Sequence, residues 1–107
     1  MCENQEQMPK EPLLSSQEIA HALEELNGWT VTGGKLHREY QFPDFVHAFG
    51  FMAAAAVAIE AMNHHPEWSN VWNRVCIDLQ THDSGGITAK DVALARKLEP
   101  LAGKLMS

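Results

Sequence analysis

Between Pro43 and Asn63 the chain offers water very little. Phe45, Ala48, Phe49, Met52, Ala56 and Ile59 recur at helical spacing, while Val46, Gly50, Ala53, Ala54 and Val57 make the opposite side apolar or small as well. A helix of this kind has few faces left for solvent. It must lie on a sheet with one side and on another helix, or another subunit, with the other. Its weakly polar run, Ala48 to Ile59, ends in Glu60 and falls short of the roughly 20 residues that span a bilayer. No membrane role is therefore expected, and self-association through this helix is.

The segments around it supply the sheet and two more helices. Ser15 and Glu18 form a capping box, with Leu14 and Ile19 placed as a hydrophobic staple. Ile19, Ala22, Leu23 and Leu26 then follow a 3.6 period to a stop at Asn27-Gly28. Trp29–Thr32 and Leu36–Phe42 alternate as strands around Gly33-Gly34, a strong hairpin signal. Asn70–Thr81 reads as one long strand or as a hairpin turning at Asn73-Arg74. After the Ser84-Gly85-Gly86 turn, Thr88 caps a last helix with Asp91 three positions on and an Ile87/Val92 staple. Val92, Leu94, Ala95 and Leu98 supply its buried face, and Pro100 ends it. Strand pairs with helices between them indicate an α+β fold rather than a parallel, doubly wound one.

A chain of 107 residues has room for one domain, expected over residues 13–107 behind a polar, flexible tail of residues 1–12. Fourteen acidic and eight basic residues give a net charge of −6, which sets the surface against direct nucleic-acid binding. Cys2 and Cys76 make no disulfide framework, and the opening Met-Cys-Glu-Asn-Gln-Glu carries no basic or apolar region of a secretory signal. A reducing cytoplasm is the expected compartment.

The chemistry concentrates in six histidines. His21, His37 and His47 sit in bland settings. His64, His65 and His82 fall at the ends of structural elements, where a rigid scaffold holds loops. Glu60 lies four residues before His64; on a continuing helix the two share a face, and the carboxylate fixes the imidazole's tautomer. That makes His64 a candidate general acid. His65 precedes Pro66 and is driven to an extended conformation, so its ring leaves the chain in another direction. Should His82 lie beside this pair, three rings line one pocket; otherwise they merely satisfy loop backbone. A metal site fits poorly, since adjacent histidines do not easily share an ion and no known ligand spacing is present. Cys76 has no adjacent base to make it a nucleophile.

The stretch from Glu60 through His64-His65-Pro66, then Trp72, His82 and Asp91, resembles the pterin-4a-carbinolamine dehydratase family. An acid, three positions, His-His-Pro, an aromatic six after the proline, a histidine ten later and a distal Asp all stand in register. The resemblance covers about residues 14–99. It implies a four-stranded antiparallel sheet with three helices on one face, which favours the hairpin at Asn73-Arg74. It also implies a homodimer or homotetramer and a reaction that needs no metal or organic cofactor. That reaction dehydrates 4a-hydroxytetrahydrobiopterin to quinonoid dihydrobiopterin. It recycles the pterin of aromatic amino-acid hydroxylases, a functional link to phenylalanine hydroxylase.

By that resemblance His64 and His82 do acid–base work, His65 orients the pterin and Glu60 orients His64. Asn63, Gln80, Thr81 and Asp83 border the pocket with Pro66, and Trp68 and Trp72 wall it or else pack in the core. Asp91 matches the family's distal acid, though a helix cap explains it equally well. Asn63 stands where many relatives carry Asp, and Trp72 where many carry Tyr. Two rival readings are an interaction protein resembling the family's transcription-factor dimerisation cofactors, and a role in another pterin pathway such as molybdopterin metabolism.

Overall fold

The computed structural model describes residues 11–106. Most of the expected tail, residues 1–10, lies outside the described residues. Glu11 itself is tied down, its carbonyl accepting from the Ser84 hydroxyl.

The order is α1 (Ser16–Leu23), β1 (Thr30–Thr32), β2 (Lys35–Gln41), α2 (Phe45–Met62), β3 (Glu67–Val71), β4 (Arg74–Leu79), a 3₁₀ turn (His82–Ser84) and α3 (Ala89–Met106). The four strands form one antiparallel sheet in the order β1-β2-β4-β3, with the three helices on one face. Gly33 and Gly34 both take positive φ, as a tight two-residue hairpin turn requires. The second hairpin turns at Trp72-Asn73, one residue earlier than expected, with Trp72 at φ 51. Asn70 stabilises the bend by donating to the carbonyls of Trp72 and Arg74.

Alternation sorts the two faces of the sheet. Leu36, Tyr40, Val75, Ile77 and Leu79 point toward the helices and are fully buried. Lys35, His37, Glu39, Cys76 and Asp78 lie on the other face and pair across strands, His37 with Asp78 at 2.8 Å and Lys35 with Glu67 at 2.6 Å.

Two helix ends and one helix face depart from the sequence expectation in informative ways. The box at Ser15 and Glu18 forms, but α1 stops at Leu23. Residues 24–26 instead bond three residues back, and this tighter coil still turns Leu26 and Trp29 into the core. In α2 the buried stripe is Ala48, Phe51, Ala55 and Ile59, whereas Phe45, Val46, Phe49 and Val57 remain exposed. A helix apolar all round has no preferred phase of its own. Phe51 wins because it joins Tyr40 and Phe42, with ring centroids 5.2 and 5.3 Å away. At 18 residues and a mean hydropathy of 1.7, α2 is also long and apolar enough to cross a membrane by length and composition alone, more than the shorter run suggested. Finally, α3 continues through Pro100 to Met106. The missing hydrogen bond is offset by burial of Leu98 and Ala102, with Leu101 and Leu105 packed against the core.

A polar clamp ties α3 to the sheet. Trp29 Nε1 (2.9 Å) and the Tyr40 hydroxyl (2.5 Å) both donate to Glu99 Oε1, and the Arg38 guanidinium lies 4.3 Å over the Tyr40 ring. Burial first, then the bond to Glu99, pushes the Tyr40 hydroxyl pKa far above its ordinary value. Gly28 borders the same cluster at φ 88, and any Cβ there would stand 2.5 Å from the Arg38 guanidinium carbon. Removing the shared acceptor strands two buried donors. Glu99→Ala is expected to cost about 3 kcal/mol in urea unfolding, and Tyr40→Phe about 1 kcal/mol.

Candidate active site

The end of α2 sets the first part of the site. Asn63 takes the left-handed conformation (φ 51, ψ 44) and closes the helix, which an asparagine does at modest cost. That kink separates His64 from the helical face of Glu60. The expected Glu60–His64 pair therefore does not form. Glu60 lies instead 3.7 Å from His65 Nε2, both side chains being largely exposed.

The carboxylate that holds His64 is Asp91. Its Oδ1 is 2.6 Å from His64 Nε2, and Asp91 is fully buried. Its other oxygen accepts the Thr88 backbone N–H at 2.8 Å and the Thr81 hydroxyl at 3.0 Å. The Thr88/Asp91 capping interaction expected at the head of α3 is thus present, and the same carboxylate also orients the imidazole. An ionised carboxylate only accepts. His64 therefore donates through Nε2–H, which leaves Nδ1 as the ring atom for exchange.

The second wall comes from the end of β4. Thr81 closes a turn on Gly86 and starts the 3₁₀ segment that carries His82 and Asp83. A cleft of about 370 Å³ opens between these two walls, lined by Asn63, His64, His65, Gln80, Thr81, His82, Asp83 and Lys90. The three histidines expected to converge do so. His82 is exposed, with Gln80 Nε2 3.4 Å from its Nδ1 and Glu67 Oε2 3.7 Å from its Nε2. The Lys35 bond holds the Glu67 carboxyl below its ordinary value, and His82 adds to the effect.

Other expected residues fall elsewhere. Trp72 sits exposed at the β3–β4 turn, and Trp68 packs partly against the core; neither lines the cleft, nor does Pro66. Asp91, expected at the substrate, is buried behind His64. Thr81 reaches the cleft wall, but its hydroxyl is committed to Asp91. Two residues escaped the sequence reading. Lys90 lines the cleft from the first turn of α3, and Glu67 comes within 3.7 Å of His82 only through the tertiary fold. Neither spacing carries a local signal. Among the described residues no group of three or more His, Cys, Asp or Glu side chains is placed to hold a metal. Cys76, across the sheet, donates to Glu39, and burial with that carboxylate pushes its thiol pKa up.

Losing Asp91 would strand the Thr88 N–H and the Thr81 hydroxyl in the interior. Asp91→Ala is expected to cost about 3 kcal/mol by chemical denaturation, whereas Asp83→Ala, on the exposed turn, is expected to stay within about 0.5 kcal/mol of the parent.

The profile of the family described as "Pterin 4 alpha carbinolamine dehydratase" matches residues 12–101. A protein of Solibacter usitatus that bears this dehydratase name is 67% identical over 89 residues, spanning 83% of this chain and 94% of its own. One from Rhizorhabdus wittichii is 50% identical over 97 residues, spanning 89% and 99%. The crystal structure of a transcriptional coactivator/pterin dehydratase from Brucella melitensis superposes with a TM-score of 0.81 at 44% identity, covering 85% of this chain and 99% of that one. A pterin dehydratase-like RuBisCO assembly factor of the alpha-carboxysome shares the fold, with a TM-score of 0.62 at 24% identity over 72% and 92% of the chains.

Proposed function

The chain belongs to the pterin 4 alpha carbinolamine dehydratase family, and from that premise we propose that it dehydrates 4a-hydroxytetrahydrobiopterin by histidine acid–base catalysis in this cleft. The observation that carries the reading is His64 held on a buried carboxylate in the same cleft as His65 and His82. Dehydration needs one proton delivered and one removed. An imidazolium protonates the 4a-hydroxyl as the C4a–O bond breaks, and water leaves. A second imidazole takes the proton from N5 as the C4a–N5 double bond forms, giving the quinonoid dihydropterin. His64 and His82 divide these two steps, each typically worth about 10²–10⁴-fold.

The remaining lining suits the substrate. Asn63 and Gln80 offer amide donors and acceptors, and Asp83 a carboxylate, for the polar edge of a pterin ring. His65, with Glu60 beside it, orients that ring. Recycling the cofactor of aromatic amino-acid hydroxylases in a reducing cytoplasm is the physiological setting this reading favours.

Stopped-flow absorbance with freshly generated 4a-hydroxytetrahydrobiopterin tests the activity. Rapid formation of the quinonoid product, unchanged by chelator, is expected, with His64→Ala and His82→Ala each lowering kcat at least about 10²-fold. Wild-type turnover in both variants would overturn the assignment.

The second part of the proposal is assembly. Val46, Phe49 and Val57 leave an apolar strip exposed along one face of α2. A second copy of the chain covers it, helix against helix. Light scattering is expected to report a dimer or tetramer, and Val57→Glu with Phe49→Glu to shift it to monomer; a monomeric parent would overturn this part.

A further inference from the structure

Asp91 and His64 rest on two hydroxyls that the proposed reaction leaves unused. Thr88 is fully buried and Thr81 is 8% exposed. The Thr81 hydroxyl has one proton, and its bond to Asp91 Oδ2 takes it. The Thr81 oxygen is then an acceptor for Thr88 Oγ1, 2.7 Å away. Thr88 therefore donates to Thr81, and its own oxygen accepts the Lys90 N–H at 3.2 Å. Each bond has a fixed sense, running from Lys90 N–H through Thr88 and Thr81 to the carboxylate. Bonds in such a chain polarise one another, and buried members have no water to turn to.

Capping does not explain this arrangement. A cap for α3 needs only the Thr88 oxygen on Lys90 N–H and the Asp91 carboxylate on Thr88 N–H. It has no use for a hydroxyl at Thr81, which arrives from the far end of β4, where an apolar side chain would fill the same buried place. What the Thr81 bond does is satisfy Oδ2 a second time, which leaves Oδ1 to His64 alone.

We propose that the Thr88–Thr81 hydroxyl pair is a positioning element for catalysis: it commits Asp91 Oδ2 and leaves Oδ1 to His64, which keeps the His64 proton on Nε2 and frees Nδ1 for the substrate. The proposal rests on the assignment of His64 to proton transfer. Neither threonine touches the reacting atoms.

Two readouts on Thr81→Val, Thr88→Val and the matching serine variants test it. In the stopped-flow assay, Thr81→Val is expected to lower kcat about 10-fold with KM little changed, in line with the usual effect of losing an outer hydrogen-bond partner. Thr88→Val, one bond further back, is expected to lower it about 3-fold, and serine at either position to retain parental kcat. Independently, ¹⁵N shifts of the neutral His64 ring are expected to report the Nε2–H tautomer in the parent and a mixture in Thr81→Val. Thr88→Val carries the same test should Thr81→Val not fold. Variants that lose only thermal stability, with kcat and tautomer unchanged, would reduce the pair to a structural role and overturn the proposal, as would an Nδ1–H tautomer in the parent. A parent without dehydratase activity but with the expected spectra would support the hydroxyl relay and remove the reaction assigned to it.

Discussion

The Asp91 carboxylate is the point on which fold and site both depend. It is fully buried, and a buried charge is tolerated only where hydrogen bonds replace its water. Thr88 N–H, the Thr81 hydroxyl and His64 supply those bonds. They come from three separate elements: the head of α3, the end of β4 and the end of α2. One anion thereby fixes the relative placement of all three. Stability and imidazole orientation are consequently not separable at this residue, because the oxygen that caps α3 and the oxygen that holds His64 belong to one group.

The rest of the scaffold keeps those three chain ends close together. Antiparallel pairing of β2, β4 and β3 brings Glu67 beside His82, and the Tyr40–Glu99 clamp binds α3 to β2 on the same side as the buried stripe of α2. The uninterrupted path of α3 past Pro100 lengthens that contact. The cleft itself is lined by polar side chains. The greasy surface of the molecule lies elsewhere, along the outer strip of α2.

Much of the fold was legible because local signals and burial agreed. The capping box at Ser15, the Thr88 cap with Asp91 three positions on, the Gly33-Gly34 turn and the alternation of Val75, Ile77 and Leu79 each name their element. The failures have physical causes. Phe45 and Phe49 share one helical-spacing stripe of α2 with Ala48 and Ile59, yet a helix without an amphipathic bias takes its phase from what it packs against, here Tyr40 and Phe42 on the sheet side. Pro100 reads locally as a terminator, and tertiary burial overrode it. The family resemblance makes Trp72 a pocket wall or a core residue, and the hairpin turn instead leaves it exposed at the far end of the strand.

For the site, the sequence by itself determined the cast. His64, His65 and His82 stand out by their place at element ends, Asn63, Gln80 and Asp83 only by the family resemblance, and all six line one cleft. Which carboxylate serves which imidazole was decided by tertiary structure alone. Glu60 is four residues from His64 and Asp91 is twenty-seven, so any local rule chooses Glu60. The left-handed turn at Asn63 breaks that local geometry, and burial then selects the carboxylate that three donors can satisfy.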